Sequence, residues 1–424
     1  MQLSATKPGS VRRRLAAAAC VLVGATATPV DAIEVSSANL VYSESNRVTV
    51  LETRGSLRAD FGDRNTLTIL TTFDSLTGAS PNGAVPSPLP QVFTRASGGG
   101  SYTMPPGETP VDDSFEDTRI AGSASLARSL GRMTTMNLGA SYSTEFDYES
   151  VGIDARIAHD VFQRNTTLSL GLSRSFDTVD PVGGPPVPLA TMRRGGLPQP
   201  KAEGPEHKAV TDAVIGVTQV VDAVTLVQMN YAFHHSSGYL TDPYKLVSVV
   251  QAEDAVSPGT PFEYVYEKRP GSRTKHALYG RAKRALDLDV LDVSYRYLWD
   301  DWGVRSHTIE GRYHWEATSA HGLEPQLRYY RQVAADFFAY HLVDGAEKPV
   351  NVSADARLAD LHSWTAALQY RYRFTGGSRL AARLGYYRQD GDGPTDTPFG
   401  AMKDRDLFPT LNAIISQISF TIGW

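Results

Sequence analysis

The chain is 424 residues long, carries a formal net charge of −5 at pH 7 and holds a single cysteine. Mean hydropathy is −0.26, and beyond the N-terminus no run reaches the roughly 18 apolar residues that a membrane helix needs. A disulfide framework and a helical membrane bundle are excluded, so any membrane crossing falls to a closed barrel, which also satisfies every backbone group in lipid.

The first 32 residues read as a secretory signal peptide. Arg12, Arg13 and Arg14 precede the apolar run LAAAACVLVGATA, and small residues at Ala25 to Ala27 and at Val30 to Ala32 suit cleavage. Cleavage after Ala32 makes Ile33 the mature start. Cys20 lies inside the apolar run, so residues 33–424 hold no cysteine and a large sheet has to replace disulfides. The signal has a net charge of +3 (Lys7, Arg12, Arg13 and Arg14 against Asp31), which leaves −8 for the rest and argues against nucleic acid as a partner.

Residues 33–424 read as one β-barrel domain with long external loops. SSANLVYSE is expected as a first strand, with Ala38, Leu40 and Tyr42 on one face and Ser37 and Asn39 on the other. MNLGASYSTEFDY sets Met136, Leu138, Ala140, Tyr142, Thr144, Phe146 and Tyr148 against Asn137, Gly139, Ser141, Ser143, Glu145 and Asp147. TLSLGLS and IEGRYHW alternate in the same way. LDVSYRYLW sets Leu291, Val293, Tyr295, Tyr297 and Trp299 against Asp292, Ser294, Arg296 and Leu298. WTAALQYRYRF sets Trp364, Ala366, Leu368, Tyr370, Tyr372 and Phe374 against Thr365, Ala367, Gln369, Arg371 and Arg373. The closing QISFTIGW puts Ile418, Phe420, Ile422 and Trp424 on one face. These runs are about 10–14 residues long, beyond the usual 5–6 of a strand and close to the tilted length that spans a membrane.

Short connections occur at FGDRN, SLGRM, VFQRN, VVDAV, ALDLD, SAHGLEP and FTGGSR, and long ones at 75–114, 179–206, 237–272, 342–355 and 391–409. That alternation predicts an all-β, transmembrane, antiparallel up-and-down barrel of about sixteen strands, short turns on the periplasmic side. Trp299, Tyr148 and Phe146 fall at expected outer strand ends, and Trp315, Phe374 and Trp424 at inner ends, as interfacial girdles require. The last strand is expected to pair with the first, and Phe420, Ile422 and Trp424 to serve as the signal read by the barrel-assembly machinery.

The first long loop carries a more specific pattern. FDSLTGASPNGAVPS (Phe73 to Ser87), FTRASGGGSY (Phe93 to Tyr102) and PVDDSFEDTR (Pro110 to Arg119) resemble the domain-of-unknown-function family number 3570, as do DYESVG, NTTLSLG and DPVGGPP. The likeness runs from about Val35 to Trp424. It implies a bacterial outer-membrane barrel with no assigned activity. The family's genes are often reported near a flavin transferase and a thioredoxin-like protein, which implies a partner in extracytoplasmic redox chemistry or protein modification.

The residues show no phosphate-binding loop, HExxH, CxxC or GxSxG elbow, so no catalytic residue and no cofactor is assigned. SGGGSY reads as a flexible loop. Asp112, Asp113, Glu116 and Asp117, and separately Asp390, Asp392 and Asp396, offer oxygen ligands for calcium, although neither string fits a calcium loop. They otherwise read as solvated acidic loops bridged by divalent ions to lipopolysaccharide. His234 and His235 read as exposed at an outer strand end. His314 and Glu310 share one face, but at i and i+4 on a strand they stand about 13 Å apart.

By alternation the lumen receives Arg119, Arg156, Arg296, Arg312, Arg328, Arg371, Arg373 and Arg383, against Glu145, Asp154, Asp292 and Glu310, with His314 beside them. Arg174 and Arg331 take the apolar parity and are expected to snorkel toward lipid phosphates. A barrel of this size leaves room for an aqueous channel, and rings of arginine favour anions. The expected function is a porin-like passive channel for small solutes, anions among them, surrounded by outer-membrane lipid and lipopolysaccharide. The alternative is a non-conducting scaffold for periplasmic or surface partners, closed by its loops at 77–111 and 179–206. An outer-membrane enzyme is a third reading.

Overall fold

The computed structural model describes residues 30–45, 47–78, 81–95, 100–113, 115–193, 197–392, 398–403 and 405–423. Trp424 and most of the expected signal peptide lie outside these residues. In chain order the strands are β1 (Val30–Glu44), β2 (Thr49–Phe61), β3 (Asn65–Thr77), β4 (Gln91–Thr94), β5 (Ser101–Met104), β6 (Glu116–Ser129) and β7 (Thr134–Thr144). There follow β8 (Tyr148–Val161), β9 (Thr166–Val179), β10 (Glu206–Val220), β11 (Thr225–Gly238), β12 (Leu246–Val250), β13 (Pro261–Tyr266) and β14 (Ser272–Leu286). The last are β15 (Asp289–Asp300), β16 (Arg305–Glu316), β17 (His321–Val333), β18 (His341–Val343), β19 (Leu361–Arg373), β20 (Arg379–Gly391) and β21 (Leu411–Gly423).

Sixteen of these strands close into one antiparallel barrel, each bonded to its chain neighbour apart from the excursions at β4–β5, β12–β13 and β18. β1 closes the circle on β21, with Glu34 opposite Gly423 and Glu44 opposite Ala413. All seven short connections join neighbouring strands at one rim. The long ones leave from the other, together with three tight links at 45–48, 145–147 and 301–304.

Residues directly opposite in an antiparallel pair point to the same side, so the register carries one parity around the whole circle. Ile418 and Phe420 face out, as do Leu138, Ile153, Leu172, Ile215, Met229, Ile309, Leu327 and Leu368, all large apolar side chains left uncovered. That band, with closure that leaves no free edge, makes the fold a transmembrane barrel. Trp299 stacks on His276 at 5.2 Å, and Trp364 meets Tyr329 at 4.5 Å with the rings tilted, both outward near the long-loop rim. Phe374 meets Phe420 at 6.1 Å, and Trp315 is outward, near the short-turn rim.

Two strand faces differ from the sequence reading. In β1 it is Val35 and Val41, with Ser37 and Asn39, that face out. Leu40 pairs with Gln417 and Glu52, and Tyr42 bonds to Glu44 inside. A strand mixing small polar and apolar residues on both faces gives periodicity nothing to choose between, and pairing to β21 decides. Tyr148 starts β8 after a three-residue turn, which resets the phase. It points inward and its hydroxyl donates to Asp177 at 2.6 Å.

The long loops are not loose. β12 lies between antiparallel β13 and parallel β18, β4 pairs with β5, and Met192 N–H donates to the Tyr264 carbonyl at 2.8 Å. Val247, Val250, Val265 and Val352 lose all or nearly all contact with solvent. Phe93 packs edge-on to Tyr264 at 4.9 Å. Another cluster joins Phe338, Leu358 and Met402 to Trp302 and Val304 from the tight β15–β16 link. Gly259 and Gly400 adopt positive φ where two loops cross, and a Cβ on either would strike the other loop's backbone. Together these loops form a cap seated in the rim.

Candidate functional site

The register places Arg119, Asp154, Arg156, Asp292, Arg296, Glu310, Arg312, Arg328, Arg371, Arg373 and Arg383 on the inner face. Arg119 sits opposite Asp74, Arg156 opposite Asn137, Asp292 opposite Arg312, Glu310 opposite Arg328, and Arg383 opposite Gln369 and Gln417. His314 also faces in, while Glu145 lies just past β7 in the link to β8. Arg174 is outward, bonded to Thr211 at 2.7 Å and 5.2 Å from the Phe176 ring, and Arg331 is outward too.

The basic excess expected of this face shrinks to near parity. The same register turns Glu34, Glu44, Glu52, Asp60, Asp74, Asp117, Asp160, Asp177, Glu206, Asp212, Asp300, Glu316 and Glu324 inward, together with Arg54, Arg58, Lys208, Arg273, Lys275, Arg281, Lys283 and Arg379. Most of these acids sit near strand ends, where alternation is hardest to phase from sequence. Many pair off: Arg119 with Asp74, Arg273 with Asp300, Arg281 with Asp292, Arg371 with Glu316 at 3.1 Å. Arg383 bonds to Gln326 at 2.6 Å and Arg373 to the Ser319 carbonyl at 3.2 Å. Arg156, Arg296 and Arg328 keep no ion-pair partner among the described residues.

His314 does not meet Glu310. Its Nδ1 lies 2.8 Å from Glu324 and its Nε2 3.8 Å from Asp292, both on adjoining strands, and Glu310 takes Arg312 at 2.6 Å. The histidine pair at the end of β11 splits across the wall. His234 faces in, 2.7 Å from Asp212, and His235 faces out, 3.1 Å from Thr274. The acidic string separates as well: Asp112 is buried in the cap, Asp113 is exposed, and Asp117 is on the inner face of β6. Asp390 is held by Arg388, Asp392 by His362, and Asp396 lies outside the described residues. Among the described residues no group of three acids, histidines or cysteines converges as a metal site would require.

Inside the cap lies a second charged group. Arg269 reaches Glu267 at 2.6 Å and Asp355 at 2.8 Å, and Arg357 bridges Asp355 to Asp242 at 2.6 Å. Ser353 donates to Glu267 at 2.5 Å, and Lys245 Nζ donates to the Pro81 carbonyl at 2.6 Å. Burial alone would raise the Asp355 carboxyl, but Arg357 and Lys245 outweigh it and hold it low; Asp242 is likewise held low. Burial pulls the Lys245 ammonium down and pushes Glu267 up, against Arg269. Such a group adds little net stability, yet removing one member strands the others in a dry site.

Two cavities of about 330 and 340 Å³ flank this group, and both are lined by Lys245 and Arg357. The first is bounded by Leu76, Tyr102, Phe115 and Tyr244, the second by Tyr42, Tyr340, Tyr387 and Ile415.

Residues 12–422 match the model of the family described as "Protein of unknown function (DUF3570)". The chain belongs to that family. No curated protein matches the sequence. Among solved structures, the outer membrane protein OpdK from Pseudomonas aeruginosa shares 8% identity over 93% of this chain and 99% of its own, with a TM-score of 0.42. OccK2 (OpdF) from Pseudomonas aeruginosa, in complex with glucuronate, gives 10% identity, 93% and 98% coverage and a TM-score of 0.42. The Pseudomonas aeruginosa ferric enterobactin receptor PfeA in complex with enterobactin (its Q482A mutant) gives 11% identity, a TM-score of 0.43 and coverage of 94% of this chain, which spans 61% of the receptor.

For this DUF3570 barrel, the register turns in the eight arginines and the acids Asp154, Asp292 and Glu310 that sequence parity picks, and adds Arg54, Arg58, Arg273, Arg281 and Arg379 and most of the inner carboxylates, which it does not pick. The cap group left only a faint trace, three short charged strings at Asp242–Lys245, Glu267–Arg269 and Asp355–Arg357. Each reads alone as a solvated loop.

Proposed function

We propose that the protein resides in a bacterial outer membrane and passes small solutes by passive diffusion, anions in preference. The supporting observation is the inner wall: in a barrel of this size, Arg156, Arg296 and Arg328 face the lumen with no ion-pair partner among the described residues. Outer-membrane lipid and lipopolysaccharide are the partners proposed for the apolar band, and the assembly machinery for the closing strand with Phe420 and Ile422 outward. The test is single-channel recording from the refolded protein in a planar bilayer under a salt gradient. Stepwise openings with an anion-selective reversal potential are expected, and a folded barrel that never conducts overturns the reading.

The packed cap supports a second reading, a scaffold that presents a fixed loop surface to a periplasmic or surface partner, including one in flavin or redox chemistry. A silent barrel that co-purifies with a stable partner is the result that would favour it.

A further inference from the structure

The cap is not fastened evenly around the rim. On the β14–β17 side it is continuous with the wall. Trp302 and Val304 belong to the same apolar cluster as Phe338 and Leu358, and the indole N–H of Trp302 donates to the Ser272 carbonyl at 2.8 Å. Gln332, facing in from β17, gives both amide protons to the cap, one to Arg357 O at 2.9 Å and one to Ala359 O at 2.8 Å. At β7–β8 the Tyr244 hydroxyl donates to Asp147. On the opposite side, from β20 through β21 and β1 to β3, Arg47 donates to the Pro409 carbonyl at 3.2 Å and Phe408 packs on Gly391, but open space remains between cap and wall among the described residues. The two cavities lie there, one against Tyr387, Ile415 and Tyr42 of the wall, the other against Leu76.

We infer that solutes cross the long-loop rim through this eccentric gap, and that Arg357 is its selectivity-determining residue, which a small organic anion with a partly apolar body meets on the way. The inference rests on the proposed channel function and names where the channel opens and what it prefers. Both cavities meet at Arg357. Its side chain is 66% exposed although Asp355 and Asp242 hold it in place, so a fixed cation is presented to the gap. The first lining sets Arg95, Lys201, Lys245 and Arg357 against Asp112 and Asp242, the second sets Arg47, Lys245 and Arg357 against Glu44 and Asp355, so each keeps an excess of cations. Most of the remaining surface is aromatic and aliphatic, which suits the body of a carboxylate or phosphate ester better than a hydrated halide. Below the gap, Arg328 stands in the same inward row as Tyr387, with Thr365 of β19 between them, and continues the positive field into the lumen.

Residues 33–424 contain no cysteine, so a single introduced thiol reports on the route. Ala356 lines the second cavity beside Arg357. In A356C, with each rate divided by that reagent's rate on a free thiol, an anionic methanethiosulfonate is expected to react roughly tenfold faster than a cationic one and to reduce conductance in a single step. Adding Arg357→Gln should remove most of that rate difference. T109C, on the same cavity, gives a second position should A356C fail to fold, and V256C on a fully exposed loop should label without changing conductance. A conducting protein whose A356C and T109C forms fail to label, or label and conduct as before, overturns the eccentric route and leaves the channel function standing. An unchanged rate difference after Arg357→Gln overturns the role of Arg357. A wild-type barrel that does not conduct overturns the channel function and this inference with it.

Discussion

In the cap, Val247, Val250, Val265 and Ala359 are closed off completely, while on the wall Leu172, Ile215, Met229 and Leu327 leave more than half their surface uncovered. The same side-chain types serve opposite ends. The cap behaves as a water-soluble protein, held by apolar burial and dense packing. The wall gains nothing by hiding leucine from lipid and relies on backbone pairing around an edgeless circle. One chain thus follows two rules of solvation, and the boundary between them falls at the strand ends of the long-loop rim.

The sharpest way to break that contrast is to delete volume from the cap. Tyr264 is 2% exposed, packs on Phe93 and accepts from Gln91 at 2.8 Å. Tyr264→Ala should cost about 3–5 kcal/mol of cap stability and leave the wall intact. Limited proteolysis should cut residues 246–266 while the heat-modifiable band of the folded barrel persists. Loss of that band would mean that wall and cap are one cooperative unit. On the wall the test is parity. Leu172→Arg, facing lipid at mid-strand, should destabilise by about 2–4 kcal/mol in urea titration. Ser173→Arg, one residue on and facing the lumen beside Asp212, should stay within about 0.5 kcal/mol; equal costs would overturn the assigned faces.

The joint between the two regions predicts a smaller effect. Gln332→Ala leaves the carbonyls of Arg357 and Ala359 without their donor, worth about 1–3 kcal/mol, and hydrogen exchange at 356–359 should accelerate while β17 stays protected. The smallest effect is one of pH. Burial and the neighbouring Asp117 push the Glu145 carboxyl up to about 7. A raised acid pKa means the folded state holds the proton more tightly, so its contribution to stability is full below the ordinary 4.5 and falls as pH rises toward 7. Protection factors in the 145–147 link, where Tyr244 is tethered, should be lower at pH 8 than at pH 5 once the intrinsic base-catalysed rise in exchange is divided out, and Glu145→Gln should flatten that dependence.

The wall was largely legible from sequence, because a lipid-facing strand must alternate and a barrel must alternate short turns with long loops. Met136 to Thr144 and Ile418 to Phe420 face as their periodicity says. Where side chains were ambivalent, as around Leu40, or a turn intervened, as before Tyr148, only the register decides. The inner carboxylates of Asp177, Asp300 and Glu324 were hidden for the same reason. The cap was not legible. LVSVV of β12 is buried on both faces and carries no period, and its partners arrive from loops far along the chain. His314 found Glu324 rather than Glu310 because neighbours across a sheet are set by register, not by spacing.

β12 takes its parallel partner β18 from a loop that leaves the wall four barrel strands later, with Ser248 opposite His341. Neither segment has a local partner on that edge, and bringing them together unaided requires closing a long, costly loop. Once β14 to β17 have paired, the distance is already spanned and the two meet at little further entropic cost. The cap therefore comes last in the order of events. In pulsed hydrogen exchange during refolding, Val247 and Val265 should gain protection only after β14 to β17 have done so.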